Sequence, residues 1–185
     1  MLHKYLITSR EFYTDTPAVF RKILHAQLVK YLPEYALYRD KSNPNYALQA
    51  EHFVEVCAQF EAVKAIIHSD FLLAKRVQAF GVHLTSKEFA HIEEAKALGL
   101  RVFVSTHTPE EVAQAEQFGA DYATYSPIFA TPNKGEPKGV AALKEVVASS
   151  NIKIFALGGI LDATNVAAVE ESGAYGFASI RYFYT

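Results

Sequence analysis

Phe118-Gly119-Ala120-Asp121 and Ser172-Gly173-Ala174-Tyr175 set the same punctuation twice, a glycine just past a helical stretch and just before a strand-like run. Leu98-Gly99-Leu100 repeats it. Glycine enters the left-handed region that closes a helix without a Cβ penalty, so each tetrad or triad is an αβ turn. Upstream of the first, Thr108-Pro109 supplies the matching start, with Thr108 as N-cap and Pro109 in the first turn. One helix is thus bounded at both ends, with strands on either side of it.

Working outward, short β-branched or aromatic runs alternate with amphipathic stretches along the chain. Strands are expected at 5–8, 35–39, 64–68, 81–84, 101–105, 121–125, 152–157 and 176–180. Helices are expected at 15–30, about 46–60, after Asp70, and near 87–98, 110–118, 140–149 and 163–171. Repeated βα units imply parallel strands joined by right-handed crossovers. The pattern alone fits a closed barrel or an open doubly wound sheet, and eight units favour the barrel. The expectation is one α/β domain over residues 1–185, a short (β/α)₈ TIM barrel. The chain ends at Ile180-Arg181-Tyr182-Phe183-Tyr184-Thr185, so the final helix is expected to be missing, its wall covered by a partner subunit or by this tail.

The 185 residues suffice for one substantial core, and a hydrophobic share of 50% with 21% charged residues is an ordinary globular balance. A net charge of -2 offers no general attraction to nucleic acid or anionic lipid. Cys57 is the only cysteine, which excludes an intramolecular disulfide and a thiolate metal cluster. Phe53, Val56 and Phe60 share its helical stripe, so it belongs in the core. The first residues are too short and interrupted for a signal peptide, and no apolar run approaches the roughly 18 residues of a membrane span. A cytoplasmic location is expected.

In a parallel barrel every strand's last residues face one rim, where barrel active sites form. That rim collects Thr8-Ser9, Arg39-Asp40-Lys41, His68-Ser69-Asp70, Thr85-Ser86, Ser105-Thr106-His107, Ser126, Gly158-Gly159, Ser179 and Arg181. It also carries the longest βα connection, Phe129 to Gly139, a lid or ligand-loop candidate. Arg39, Lys41 and Lys134 can hold phosphate oxygens, and Asp70 with Glu88 can share a hard cation such as Mg²⁺. Gly158-Gly159 can bring bare backbone N–H groups close to a phosphate. Plainer uses stand beside these. Asp70 fits an N-cap, Glu88 a solvated first-turn carboxylate, His83 a satisfied barrel residue and His107 a turn. Ser105 and Thr131 can satisfy local backbone groups, Arg39 and Lys41 can form exposed ion pairs, and Lys134 and Lys138 can simply solubilise a loop.

Seven segments in order resemble the thiamine phosphate synthase family, which includes the thiazole tautomerases. They are Tyr38-Arg39-Asp40-Lys41, Gly81-Val82-His83-Leu84, Val104-Ser105-Thr106-His107-Thr108, Gly119-Ala120-Asp121-Tyr122, Ser126-Pro127-Ile128-Phe129, Leu157-Gly158-Gly159-Ile160 and Gly173-Ala174-Tyr175-Gly176. The resemblance implies a transferase in thiamine biosynthesis, condensing hydroxymethylpyrimidine pyrophosphate with thiazole phosphate and releasing pyrophosphate. It implies a catalytic set in which Arg39, Lys41 and Lys134 hold pyrophosphate while Ser105 faces the pyrimidine. Asp70 and Glu88 would bind Mg²⁺, with Glu88 standing where the family has aspartate. Ser69, Thr131, Asn133, Gly158, Gly159 and Arg181 would contact substrate, and the protein would be a homodimer acting on phosphorylated small molecules.

The departures gather at the site. Leu37 replaces a glutamine that contacts the pyrimidine, and Ser69 an asparagine. Thr85-Ser86 replaces Gly-Gln, Asn133 a threonine and Arg181 a serine. Two other readings stay open. A thiazole tautomerase would need another acid–base group, because Pro127 occupies the position of its histidine; His68 and His107 are rim candidates. A non-catalytic phosphate-binding paralogue would tolerate the eroded pyrimidine pocket.

Overall fold

Eight parallel strands close on themselves in sequence order in a computed structural model, which describes residues 1–184. The strands are β1 (His3–Ile7), β2 (Tyr35–Tyr38), β3 (Lys64–His68), β4 (Gly81–Leu84), β5 (Arg101–Thr106), β6 (Tyr122–Tyr125), β7 (Lys153–Leu157) and β8 (Gly176–Ser179). Closure is the pairing of β8 with β1, where Tyr5 meets Ala178 and Leu6 meets Ser179. Alternation along each strand splits the core into two layers. Tyr5, Ile7, Tyr35, Leu37, Ile66, Phe103, Tyr122 and Phe155 fill the barrel interior. Their sequence neighbours Leu6, Ala36, Tyr38, Ile67, Val102, Val104 and Ala123 face the helices.

The outer ring comprises α1 (Arg10–Tyr13), α2 (Pro17–Tyr31), α3 (Tyr46–Cys57), α4 (Phe71–Arg76), α5 (Ile92–Ala97), α6 (Pro109–Gln117), α7 (Gly139–Ala148) and α8 (Ala163–Glu171). The αβ turns follow the sequence rule: Gly99, Gly119 and Gly173 take φ of 83°, 90° and 80°. Thr108 caps α6 by accepting from the Glu111 amide at 3.1 Å. Cys57 is buried, and burial pushes its thiol pKa up, so it packs as a small hydrophobe.

Two boundaries differ from expectation, and the absence of a full helix after β8 agrees with it. The short helix α1 is unanticipated; Ser9 caps it and its Tyr13 is fully buried. The stretch 87–98 divides into a 3-10 turn, Phe89–His91, and α5. After β8 the described chain forms a 3-10 turn, Arg181–Tyr184, in place of a full helix. Phe183 is fully buried and stacks on Phe177 at 5.5 Å, while Tyr184 stacks on Phe12 of α1 at 4.5 Å. The aromatic turn therefore packs against the β8 wall itself.

Candidate active site

The ends of β2, β3 and β4 surround a cavity of about 400 Å³ lined by Asp40, Lys41, Asn43, Tyr46, His68, Ser69, Asp70 and Thr85. Tyr46, the first residue of α3, braces this corner from behind. Its hydroxyl donates toward the carbonyls of His68 at 3.0 Å and Tyr38 at 3.3 Å, tying two strand ends together. Arg39 follows β2 with its amide on Thr8 Oγ1 at 3.1 Å. Arg10 of α1 donates to the buried Asp40 carboxylate at 3.1 Å, so Asp40 is spent on holding its own loop. Neither Arg10 nor Tyr46 carried a signal in the sequence, because their partners lie in other segments.

The cations converge. The pKa of Lys41 is lowered first by the Arg39 charge, then by burial and by the Lys134 charge, with Glu88 opposing. Arg39 is half-buried and its own pKa is lowered by that burial. Lys134 arrives from the β6–α7 connection, and β6 stands four strands from β2 in an eight-strand barrel, on the opposite side of the mouth. None of the three forms a salt bridge among the described residues.

That connection is fixed at both ends and free at its tip. Ile128 and Phe129 donate to the carbonyls of Leu157 and Gly158, each at 3.0 Å, and Lys138 and Gly139 donate back to Pro127 and Ile128. A Cβ on Gly158 would sit 2.7 Å from Pro127 Cα, and one on Gly159 2.5 Å from the Ala130 carbonyl oxygen. Both glycines are therefore required by loop packing as well as being free of side chain toward a ligand. The Gly159 and Ile160 amides make no hydrogen bond among the described residues. Thr131 spends its hydroxyl proton on the Phe129 carbonyl at 3.0 Å, and Asn133 occupies a left-handed turn with φ 62° at the exposed tip. Arg181 is exposed, two residues past Ser179, whose hydroxyl bonds the Ile160 carbonyl at 2.9 Å. That bond joins the last two strand loops into one sector.

The carboxylates serve both the local and the chemical readings. Asp70 Oδ1 caps α4, accepting from the Leu73 amide at 2.8 Å, as the plainer reading expected. Glu88 Oε2 accepts from Ser69 Oγ at 3.1 Å and from the Thr85 amide at 2.7 Å. Through Ser69 the Glu88 carboxylate is pinned one residue from Asp70. Ser69 itself takes φ 62°, a left-handed geometry a serine adopts only when its surroundings hold it. The second oxygen of each carboxylate is without a hydrogen-bond partner among the described residues, and there is no larger group of three or more His, Cys, Asp or Glu residues placed for a metal.

The histidines separate into roles. His107 pairs with Glu111 at 3.3 Å on the outside of α6 and is a turn residue. His68 lines the cavity with no hydrogen bond on its ring among the described residues; burial, then the charges of Arg39 and Lys41, lower its pKa to about 4. His83 is fully satisfied, Nδ1 against Tyr5 Oη at 2.7 Å and Nε2 against Ser105 Oγ at 3.0 Å. Ser105 thus sits over a buried polar column inside the barrel. Leu37, where a polar contact was expected to be lost, is 1% exposed within the apolar interior layer.

A closed parallel barrel with unpaired cations and free amides on its C-terminal rim defines a class, the (β/α)₈ barrel proteins, whose sites form at that end. The particular family follows from comparison: residues 4–183 match the thiamine monophosphate synthase family, and the chain belongs to it. It is 35% identical over 150 residues to the thiamine-phosphate synthase of Synechocystis sp., covering 78% of this chain and 43% of that protein. The same identity holds for the Nitrosococcus oceani enzyme, with 77% of this chain and 68% of that one covered. The chain therefore spans less than half the length of the cyanobacterial relative. Among solved structures, thiamine phosphate pyrophosphorylase from Pyrococcus furiosus superposes with a TM-score of 0.83 at 26% identity, covering 97% of this chain and 85% of that one. No helix among the described residues is long and apolar enough to cross a membrane.

Proposed function

We propose that the protein is a thiamine phosphate synthase, joining hydroxymethylpyrimidine pyrophosphate to thiazole phosphate with loss of pyrophosphate. Family membership sets the reaction class, and one observation carries the assignment to this site. The charges of Arg39 and Lys134 act on Lys41 at the mouth, from opposite sides of the barrel, and none of the three forms a salt bridge among the described residues. Their mutual repulsion is relieved when a polyphosphate binds, and it is relieved most when negative charge builds on the departing group. The pyrimidine CH₂–O bond breaks with its electron pair leaving on pyrophosphate, and the thiazole nitrogen lone pair then forms the new C–N bond.

Asp70 and Glu88 fit a Mg²⁺ site of the kind completed by substrate phosphate oxygens, since each keeps one carboxylate oxygen uncommitted. When bound, the ion would add positive charge on the leaving pyrophosphate. The Gly159 and Ile160 amides, with Arg181 nearby, suit the thiazole phosphate, while Thr131 and Asn133 border it from the long loop and Ser69 holds Glu88 in place. Ser105 faces the pyrimidine. The lone buried cysteine suits a reducing compartment, hence the cytoplasm. A homodimer is expected from the family resemblance, and light scattering at micromolar concentration checks it.

The tautomerase alternative draws on His68, an unpartnered imidazole in the cavity, but a pKa near 4 makes it a weak base at neutral pH. A parallel assay decides between the readings. The synthase releases pyrophosphate only with both substrates and Mg²⁺ present; a tautomerase exchanges a solvent proton on the thiazole carboxylate phosphate without metal. Asp70→Asn is the most informative variant, because asparagine keeps the cap and removes the charge. It should raise the Mg²⁺ requirement at least tenfold with an unchanged melting temperature. Pyrophosphate release that ignores this substitution would count against the metal assignment.

A further inference from the structure

We propose that Tyr5 and His83 are positioning residues that leave the Ser105 hydroxyl proton free to donate toward the substrate. The proposal deepens the synthase reading and rests on the barrel mouth being the substrate site. Tyr5 is fully buried and its hydroxyl has one partner among the described residues, His83 Nδ1 at 2.7 Å. A buried O–H without an acceptor is costly, so the phenol donates and Nδ1 accepts. An imidazole accepting at Nδ1 is neutral and carries its proton on Nε2.

The alternative of a charged ring fails on its surroundings. His83 is 3% exposed, and burial, then His68 and Arg39, press its pKa to about 3. Burial also raises the Tyr5 pKa, so the phenol keeps its proton. Nε2–H therefore donates to Ser105 Oγ at 3.0 Å. The serine oxygen is then occupied from below, and no acceptor for its own proton is present among the described residues. Ser105, next to last in β5, is half-exposed, so that proton points to the mouth. The column Tyr5→His83→Ser105 runs in one direction only. The Ser105 proton is thereby left for a substrate acceptor, such as an aromatic ring nitrogen, while the second lone pair of its oxygen stays open.

The first test does not need activity. Nitrogen-15 spectra of His83 in the unliganded protein should show Nε2 protonated and Nδ1 bare from pH 8 to pH 5. A protonated Nδ1 would overturn the proposal outright. Tyr5→Phe removes the donor and frees the ring to populate the Nδ1–H form, which turns the Ser105 proton downward. Condensation kcat/KM should then fall about tenfold, as in Ser105→Ala, and the double variant should be no worse than Ser105→Ala alone. Additive losses would reduce Tyr5 to a packing residue. His83→Gln, which retains an acceptor and a donor, should keep more activity than His83→Leu at matched folded fraction; equal loss overturns the directional role. If the intact protein condenses nothing, the synthase reading falls while the spectra still decide the direction of the column.

Discussion

The two ends of this barrel carry comparable numbers of charges and treat them oppositely. At the N-terminal end of the strands lies the larger cavity, about 510 Å³, lined by Tyr35, Lys64, Phe80, Arg101, Asp121, Tyr122 and Lys153 among others. There Asp121 accepts from Lys96 at 2.8 Å, Arg101 at 3.1 Å and the Val102 amide at 2.8 Å. Lys64 and Lys153 lie over the rings of Tyr35 and Tyr122 at 5.3 and 5.6 Å, and Tyr35 shares hydroxyl contacts with Tyr122 and Tyr175. At the C-terminal rim the cavity is smaller, and Arg39, Lys41 and Lys134 face one another with no salt bridge. The two ends therefore differ less in cavity size than in how their charges are paired: like charges kept together cost a fold stability, which a bound ligand of opposite charge would offset.

The contrast can be broken by exchanging deletions between the ends. Arg39→Ala should lower condensation kcat/KM by roughly 10²–10³-fold, the scale for removing one preorganised charge contact, while thermal unfolding stays near that of the parent. Asp121→Ala should do the reverse. Two cations and an amide lose their shared acceptor, so stability should drop by about 1–3 kcal/mol in urea titration with activity per folded molecule retained. If Asp121→Ala proved catalytically dead yet stable, the ends would have been assigned backwards.

Acid sharpens the comparison, since both histidines with depressed pKa values lie toward the rim. An unfolded histidine titrates near 6.5, whereas His83 and His68 stay neutral in the fold to about 3 and about 4. Between those limits the unfolded chain binds more protons, so stability is full above about pH 6.5 and falls as pH drops. Unfolding near pH 5 should take up as many as about two protons from this source, and His83→Gln should remove about one. The smallest effect is expected for Lys153→Gln, about 0.5–1 kcal/mol or less, from the loss of its exposed cation–ring contacts with Tyr122 and Tyr175 and with no change in kcat/KM.

Much of the fold was legible because its signals are local. The glycines at 99, 119 and 173, the Thr108-Pro109 start and the strand at 81–84 all appear where the sequence put them. The helix α1 escaped notice because four residues are too few to show a period, and its stability comes from the buried Tyr13 rather than propensity. In the site, residue types and strand ends were foreseen, but partners were not. Arg10 takes Asp40 out of play and Tyr46 braces two strands, whereas the cap that Asp70 forms was foreseen.

The sequence by itself determined the order of βα units, the rim on which polar residues would gather and the chemical kinds of side chain found there. These follow from periodicity, turn chemistry and the alternation of a strand, all settled within a few residues of chain. Only the closed barrel could decide that β8 pairs with β1, that the Lys134 charge is felt at Lys41, and that the last described aromatic residues fold back on the wall. It alone stacked Tyr5, His83 and Ser105 into a column, since residues 78 and 22 positions apart share a hydrogen bond only after the barrel has closed.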